Sequence, residues 1–426
     1  MRKHLKLYAK EIFIAAALFF FLIPGICATY SGVRRAVETI RDPGNDHQNI
    51  VFAEEYPFDG ADPDPAAADE SSLPGQYLAT AKKLTRYIDN YSGKRNVVSP
   101  FFFYIYGKTT DALGKNLIHD AEKPVIRLEN GYLCYAYLYS QESVEYAGII
   151  DFDEWLTAKD IPCLTVIPAE KSDDRYAVFP KGFPEGYAEK ENEYLKYLDN
   201  NGISYLNAGE LLVSENEDFF SWFYKTDHHW NVRAGFSVAA AIAERLKTEF
   251  GLPVDTDVLN RKNFSLITYE NAFLGSQGKK ATHGYISPEN FEVYYPLFDT
   301  AFSIKIPTMT IDRTDTFENT LIQSEVLKAG DYYTNNTYTA FLYGDVPLAR
   351  IHNLNCKNGT RALMIKTSDA NVVDVYLAFT VEYLDIIDPR YFDGSIRTFI
   401  EKNHPDVVLT CAYPSEALDN KMLDIK

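Results

Sequence analysis

"RALMIKTSDANVVDVYLAFTVEYLDII", residues 361–387, decides the fold class of this 426-residue chain. "RALMIK" (361–366) is a short apolar run of strand type, "DANVVDVYLAF" places apolar residues at helical spacing, and "VEYLDII" is a strand again. A strand, a helix and a strand in so short a span form a βαβ unit, which sets the two strands parallel in one sheet. The same alternation continues outward. "GSIRTFIEKN" reads as a helix and "DVVLTCA" as a last strand. Upstream, "YAGIIDFDEWLTAKD", "PCLTVIP" (162–168), "YAEKENEYLKYLDNNG" (187–202) and "ISYLN" read as helix, strand, helix and strand. A helix through "AGFSVAAAIAERL" follows, to about residue 247. The pattern predicts an α/β fold: a three-layer α/β/α domain with a parallel sheet, whose active site lies at the carboxyl ends of its strands.

Residues 251–360 interrupt this rhythm. "FEVYYPLF", "FSIKIPTMTI", "YYTNNTYTAFLYG" and "ARIHNLN" read as strands parted by turn residues, a β-rich insertion between two halves of one domain. Near the start, "KPVIRLENGYLCYAYL" (123–138) reads as a hairpin turning at Glu129-Asn130-Gly131. Tyr77, Ala81, Leu84, Ile88 and Tyr91 mark an amphipathic helix. Residues 54–75 are acidic and proline-bearing, a linker. At the N-terminus, Arg2, Lys3, Lys6 and Lys10 precede an apolar run, Ile12 to Ala28. That order predicts an uncleaved membrane anchor, with cleavage after Ala28 as the alternative, and the rest of the chain outside the cytoplasm. The expected layout is anchor 1–30, acidic linker 31–75, first half of the domain 76–250, insertion 251–360 and second half 361–426.

Composition narrows the partners. A formal net charge of −18 repels phosphate backbones, so nucleic acid is not an expected partner. The 31 tyrosines and 27 phenylalanines fit either aromatic-rich β structure or platforms for sugar rings. Cys27, Cys134, Cys163, Cys356 and Cys411 are scattered with no CxxC, which predicts free thiols and no thiolate metal site.

Only eight histidines occur, yet two adjoin in "KTDHHWNVRAGF" (225–236). A metal site is disfavoured, because adjacent imidazoles on a strand or helix point apart and no second ligand pair stands nearby in sequence. A base for a nucleophile is the sharper reading. Ser368 stands where a buried strand passes into a helix. There its hydroxyl projects at the sheet edge, and the backbone N–H groups of the new helix can hold an oxyanion. Asp227 would orient His229, and His229 would take the serine proton. The helix following His229 is expected to lower its pKa and keep it neutral. The bland reading is capping: Thr367, Ser368, Asp369 and Asn231 are all common at helix starts. From the residues alone both readings stand. "GSQGKKATHG" (275–284) lacks phosphate-loop spacing.

"KTDHHWN" resembles the signature of the DHHW family, whose members are similar to SGNH-like alginate O-acetyltransferases of the AlgJ/AlgX type. The resemblance extends to "IPCLTVIPAEK", "FLGSQGK", "LMIKTSDAN" and "IIDPRYF", and runs from about residue 76 onward. It implies an SGNH-hydrolase-like fold, with Ser368 as nucleophile, His229 as general base and Asp227 as its partner. It also implies an oxyanion hole from the Ser368 and Asp369 N–H groups with the Asn371 side chain. Arg390 pairs with Asp388 or reaches substrate. Trp230 is expected in the core, and His228 has no assigned role. The family has aspartate before the serine and tyrosine after it; here Thr367 and Asp369 stand there, and an unpaired carboxylate at 369 would oppose an oxyanion.

The implied activity is O-acetyl transfer to a cell-surface or exported polysaccharide through acetyl-Ser368. It needs no cofactor and has a membrane-bound O-acyltransferase as partner. A carbohydrate esterase with the same triad, and a non-catalytic polysaccharide-binding or assembly protein, are the alternatives.

Overall fold

The computed structural model describes residues 99–413, apart from 119–122, 136–145, 182, 184–185, 217, 330–331 and 334. The anchor, the acidic linker, the helix expected over 77–91 and the hairpin's last residues, 136–138, lie outside the described residues. Among the described residues no helix is long and apolar enough to cross a membrane.

Helix α1 (Ser99–Ala112) leads into a small antiparallel sheet of β1 (Leu117–Ile118), β2 (Val125–Arg127) and β3 (Leu133–Tyr135). β2 and β3 form the expected hairpin, and Gly131 takes φ 83° in its turn, a left-handed value that suits glycine. The α/β body then runs α2 (Ala147–Thr157), β4 (Cys163–Ile167), α3 (Tyr187–Asn200), β5 (Tyr205–Asn207), α4 (Ala208–Glu215) and α5 (Val232–Thr248). The intervening segment holds β6 (Phe264–Phe273), α6 (Ser276–Ala281), β7 (Glu289–Pro296), β8 (Phe302–Ile306) and β9 (Ile311–Asp315). It ends with α7 (Phe317–Thr320), α8 (Ser324–Lys328) and β10 (Leu348–Asn353). The body resumes as β11 (Arg361–Lys366), α9 (Ala370–Leu377), β12 (Tyr383–Ile387), α10 (Ile396–Asn403) and β13 (Val407–Cys411).

The central sheet has eight strands in the order β5-β4-β13-β11-β12-β10-β8-β9. β5 through β12 are parallel, as expected. β10, β8 and β9 extend the sheet antiparallel, so it is mixed rather than wholly parallel. The reason is local: a parallel neighbour needs a long crossover, and residues 354–360, between β10 and β11, hold no helix to carry the chain back. β6 and β7 pair as a separate antiparallel ribbon.

Alternate strand residues face opposite layers. Leu164, Val166, Met364 and Leu409 pack in one cluster with α4, α5 and α9. Cys163, Ile167, Leu363, Ile365 and Val408 pack in another with α2, α3 and α10. This period of two, with both faces apolar, makes the strands read as continuous hydrophobic runs. Much of the aromatic surplus is core: Phe236, Phe264, Tyr376 and Phe379 meet edge to face at 5.0–6.2 Å. Cys134, Cys163, Cys356 and Cys411 are free thiols.

Two strand expectations are corrected. "FSIKIPTMTI" breaks at Pro307, which has no N–H to donate; a 3-10 turn, Pro307–Met309, separates β8 from β9. "YYTNNTYTAFLYG" is no strand. The Asn336 side chain accepts the Tyr338 N–H and starts a 3-10 turn, Thr337–Ala340, and Leu342 and Tyr343 then adopt positive φ.

Candidate active site

β4, β11 and β13 are parallel neighbours, so the chain leaves Ile167, Lys366 and Cys411 at one edge of the sheet. Ser368 sits at that edge, half-buried, in the turn between β11 and α9. The preceding Thr367 N–H is bonded to the Cys411 carbonyl at 3.0 Å, which holds the turn against β13. Among the described residues neither the Ser368 nor the Asp369 backbone N–H has an acceptor.

The DHHW segment reaches Ser368 from α5. Phe223 and Trp230 pair in an isolated bridge, and the residues between them form a loop of bends. Asn231 caps α5 by accepting the Arg233 and Ala234 N–H groups. The loop places His229 Nε2 2.8 Å from Ser368 Oγ and His229 Nδ1 2.5 Å from Asp227 Oδ1. Asp227 Oδ1 also accepts the His229 backbone N–H at 3.1 Å, and Oδ2 accepts the Ser276 N–H at 2.6 Å. Burial opposes a charge on Asp227, but the two histidines and these hydrogen bonds hold its carboxyl well below the ordinary range.

For His229, burial pulls the pKa down, while the Asp227 charge and hydrogen bond, then Asp369 and Asp345, outweigh it. The net shift is upward. This corrects the expectation of a helix-lowered value: a carboxylate at 2.5 Å outweighs the partial charge of a helix end. His228 moves the other way, lowered first by burial and then by the neighbouring imidazole. Titration of the two rings by NMR should therefore split them. The His229 midpoint is expected above 6.5, with His228 still neutral well below it. Coincident midpoints would contradict this electrostatic account.

The two rings do not point apart. Their centroids lie 3.8 Å from each other, because bends lack the alternation of a strand or the pitch of a helix. Ligand-type atoms of Asp227, His228 and His229 fall within 4.8 Å. Both Asp227 oxygens nevertheless already take N–H donors, and His229 commits Nδ1 to Asp227 and Nε2 to Ser368. Only His228 is left for an ion. Its Nδ1 lies 3.1 Å from Ser276 Oγ, which also accepts the Tyr135 hydroxyl.

Buried groups hold the loop from behind. Lys171, wholly enclosed, donates to the carbonyls of Tyr224 and Asp227 and to Gln277 Oε1, and burial pushes its pKa down to about 8. Glu289 accepts the Lys225 and Thr226 N–H groups and the Thr226 hydroxyl. Trp230 is core, as expected, and its indole N–H donates to the Asp369 carbonyl at 2.8 Å. One floor residue went unrecognised in the sequence. Tyr338 stacks on the His229 ring, centroids 3.9 Å apart and 10° from parallel, and its hydroxyl donates to the Asp369 carbonyl. It comes from the segment read as a strand, and no spacing marks it.

Asp369 is paired. Its Oδ1 accepts the Tyr413 hydroxyl at 2.8 Å, and the side chain is buried, which raises its pKa. Burial and then the charge of Asp369 push Glu170 up to about 7. Asn371 is also committed: its amide donates to Asp345 at 3.0 Å and its carbonyl accepts Lys366. Asn371 is thus tied into a polar network rather than offered to an oxyanion. Arg390 closes that network, bonded to Asp388 at 2.6 and 2.9 Å and to Asp345 at 3.0 Å.

Fold and site together define a class: a three-layer α/β/α domain with a serine, a histidine and an aspartate joined at the carboxyl edge of its sheet. Solved structures share the fold. Bacillus cereus PatB1 matches with a TM-score of 0.58 and 18% identity, over 71% of this chain and 99% of that one. PatB1 with a sulfonyl adduct matches at 0.55 and 19%, over 70% and 98%. A DHHW family protein from Eubacterium siraeum matches at 0.54 and 16%, over 72% and 97%. The resemblance read from "KTDHHWN" thus extends to the fold. No family model and no curated protein matches the sequence.

Proposed function

We propose that the chain is an extracytoplasmic O-acetyltransferase acting on a cell-surface or exported polysaccharide. The observation that carries this reading is the unbroken relay Asp227–His229–Ser368, with hydrogen-bond distances of 2.5 and 2.8 Å. Ser368 Oγ attacks the carbonyl of an acetyl donor while His229 Nε2 takes its proton. His229 returns that proton to the leaving group as acetyl-Ser368 forms. The Ser368 and Asp369 N–H groups face the developing oxyanion. A sugar hydroxyl then gives its proton to His229, attacks the acetyl carbon and regenerates Ser368. Asp227 stabilises the imidazolium in both steps. Asp369 Oδ1 accepts the Tyr413 hydroxyl, and burial raises the pKa of its carboxyl, which lessens the charge it presents to the oxyanion. PatB1 has been solved with a sulfonyl adduct, and an activated serine hydroxyl captures sulfonyl and acetyl groups by the same kind of attack. A membrane-bound O-acyltransferase as donor partner belongs to this proposal through the sequence resemblance, and the N-terminal anchor through the basic flank and the apolar run Ile12 to Ala28. An esterase differs only in using water as acceptor.

The test is intact-mass measurement of the chain after exposure to an activated acetyl ester, then a chase with acceptor glycan. An acetyl adduct on Ser368 that leaves faster with glycan than with water alone is the expected result. Loss to water at an equal rate identifies an esterase, and no adduct removes both enzyme readings.

Gly275 offers a second test. A Cβ there would fall inside the Asp227 side chain, at a φ of −70° that imposes no strain of its own. Gly275→Ala should push Asp227 from His229 and lower adduct formation about 100-fold. The chain should remain folded by circular dichroism; an unchanged rate would show that Asp227 need not be held here.

A further inference from the structure

The segment that follows β4, with residues 129–132 and 218–220, frames an open cavity of about 490 Å³. Its walls are three aromatic rings, Tyr132, Tyr176 and Phe220, with Glu129, Asn130 and Asp218 around them. Tyr132 and Phe220 meet at 5.0 Å, tilted by 50°. Tyr176 is backed by Phe219 in a stack at 4.3 Å, has the Arg175 guanidinium 5.9 Å from its centroid, and is 37% exposed. Tyr132 and Phe220 brace each other and Phe219 backs Tyr176, so apolar rings stand beside polar groups. A pyranose ring has that chemistry: apolar C–H faces that stack on aromatics, and hydroxyls around its rim that donate to carboxylates and amides.

Charge narrows the ligand. Glu129 and Asp218 are both exposed, and the nearby Arg175 is taken up by Asp173 and Glu191. Among the described residues the lining includes no cation. Hydroxyls and ammonium groups suit such walls; uronate carboxylates and phosphates do not, and the net charge of −18 repels polyanions at longer range.

The cavity also adjoins the support of the catalytic loop. Lys171 Nζ, bonded to the Asp227 carbonyl, lies 6.0 Å from the Tyr132 ring centroid. The next residue, Leu133, donates its N–H to the Lys225 carbonyl at 3.0 Å. We infer that this cavity is an acceptor subsite for neutral or amino-sugar residues of a glycan, with Tyr132, Tyr176 and Phe220 as stacking faces and Glu129 and Asp218 selecting against polyuronates. The inference rests on the acetyltransferase reading for its role as acceptor site, and on the cavity alone for binding.

The test is calorimetric titration of the full chain with a chito-oligosaccharide, a neutral gluco-oligosaccharide and an oligogalacturonate. Acetyl-Ser368 formation from a small ester is read on the same samples. One of the first two sugars should bind, and the oligouronate should bind at least about tenfold more weakly. Tyr176→Ala should weaken the sugar that binds about tenfold. Asp218→Asn, which keeps an oxygen to accept the Phe220 N–H, should narrow the gap to the oligouronate. Binding untouched by Tyr176→Ala, tightest binding of the uronate, or no binding of any of the three overturns the subsite. Loss of the Ser368 adduct with sugar binding intact overturns the acetyltransferase reading and leaves the subsite standing.

Discussion

Ser368→Ala is expected to abolish the acetyl adduct and to lower ester turnover by roughly four to six orders of magnitude. The size follows from what the hydroxyl does. It is the atom that bonds to the acetyl carbon, and its removal leaves His229 with no proton to take. Any residual rate would come from water activated by His229 and from oxyanion stabilisation. The fold should be untouched. Ser368 is half-buried, and its hydroxyl contacts one imidazole nitrogen, so stability should change by no more than about 1 kcal/mol. An unchanged melting temperature beside the lost activity separates chemistry from structure. Full activity in Ser368→Ala would reduce the His229–Ser368 contact to a helix-start hydrogen bond, the reading that composition alone left open.

How much of this was legible depends on how far apart the cooperating residues lie. The parallel core was readable because each strand and helix carries its own period: "RALMIK" is apolar on both faces and "DANVVDVYLAF" is helical by spacing. The antiparallel extension was not, because β8 and β10 have the alternation of any hairpin strand, β9 is almost wholly polar, and nothing local says that β10 joins β12. Ser368 and His229 stood out by residue type, but their meeting across 139 positions is tertiary: the residues alone offered it beside plain capping, and the family resemblance favoured it. Asp369 was the reverse case. Its sequence context suggested a harmful charge, while the residue that answers it, Tyr413, lies beyond the end of β13. Tyr338 was hidden more deeply. Its position under His229 depends on a 3-10 turn that the aromatic, β-branched run around it argues against.

Asp227→Asn is expected to cost about 10⁴ in acylation rate, with the chain still folded. The carboxylate accepts three donors: the His229 backbone N–H and Nδ1–H on Oδ1, and the Ser276 N–H on Oδ2. An asparagine has one oxygen for these two sides. If the oxygen stays with His229, the amide NH₂ faces the Ser276 N–H, donor against donor, and the loop shifts. If the NH₂ turns to His229, Nδ1 must accept and Nε2 carries the hydrogen, which then points at Ser368 and cannot take its proton. Either arrangement removes the charge that raises the His229 pKa, so the acid limb of the rate profile should also move to lower pH. The sign is fixed: His229 works as the free base, a raised pKa delays that form to higher pH, and losing the cause of the raise brings it forward. A rate that falls while the limb stays in place would assign the loss to loop displacement alone. A variant with near-normal rate would remove Asp227 from the mechanism and leave it as a brace for the Ser276 turn.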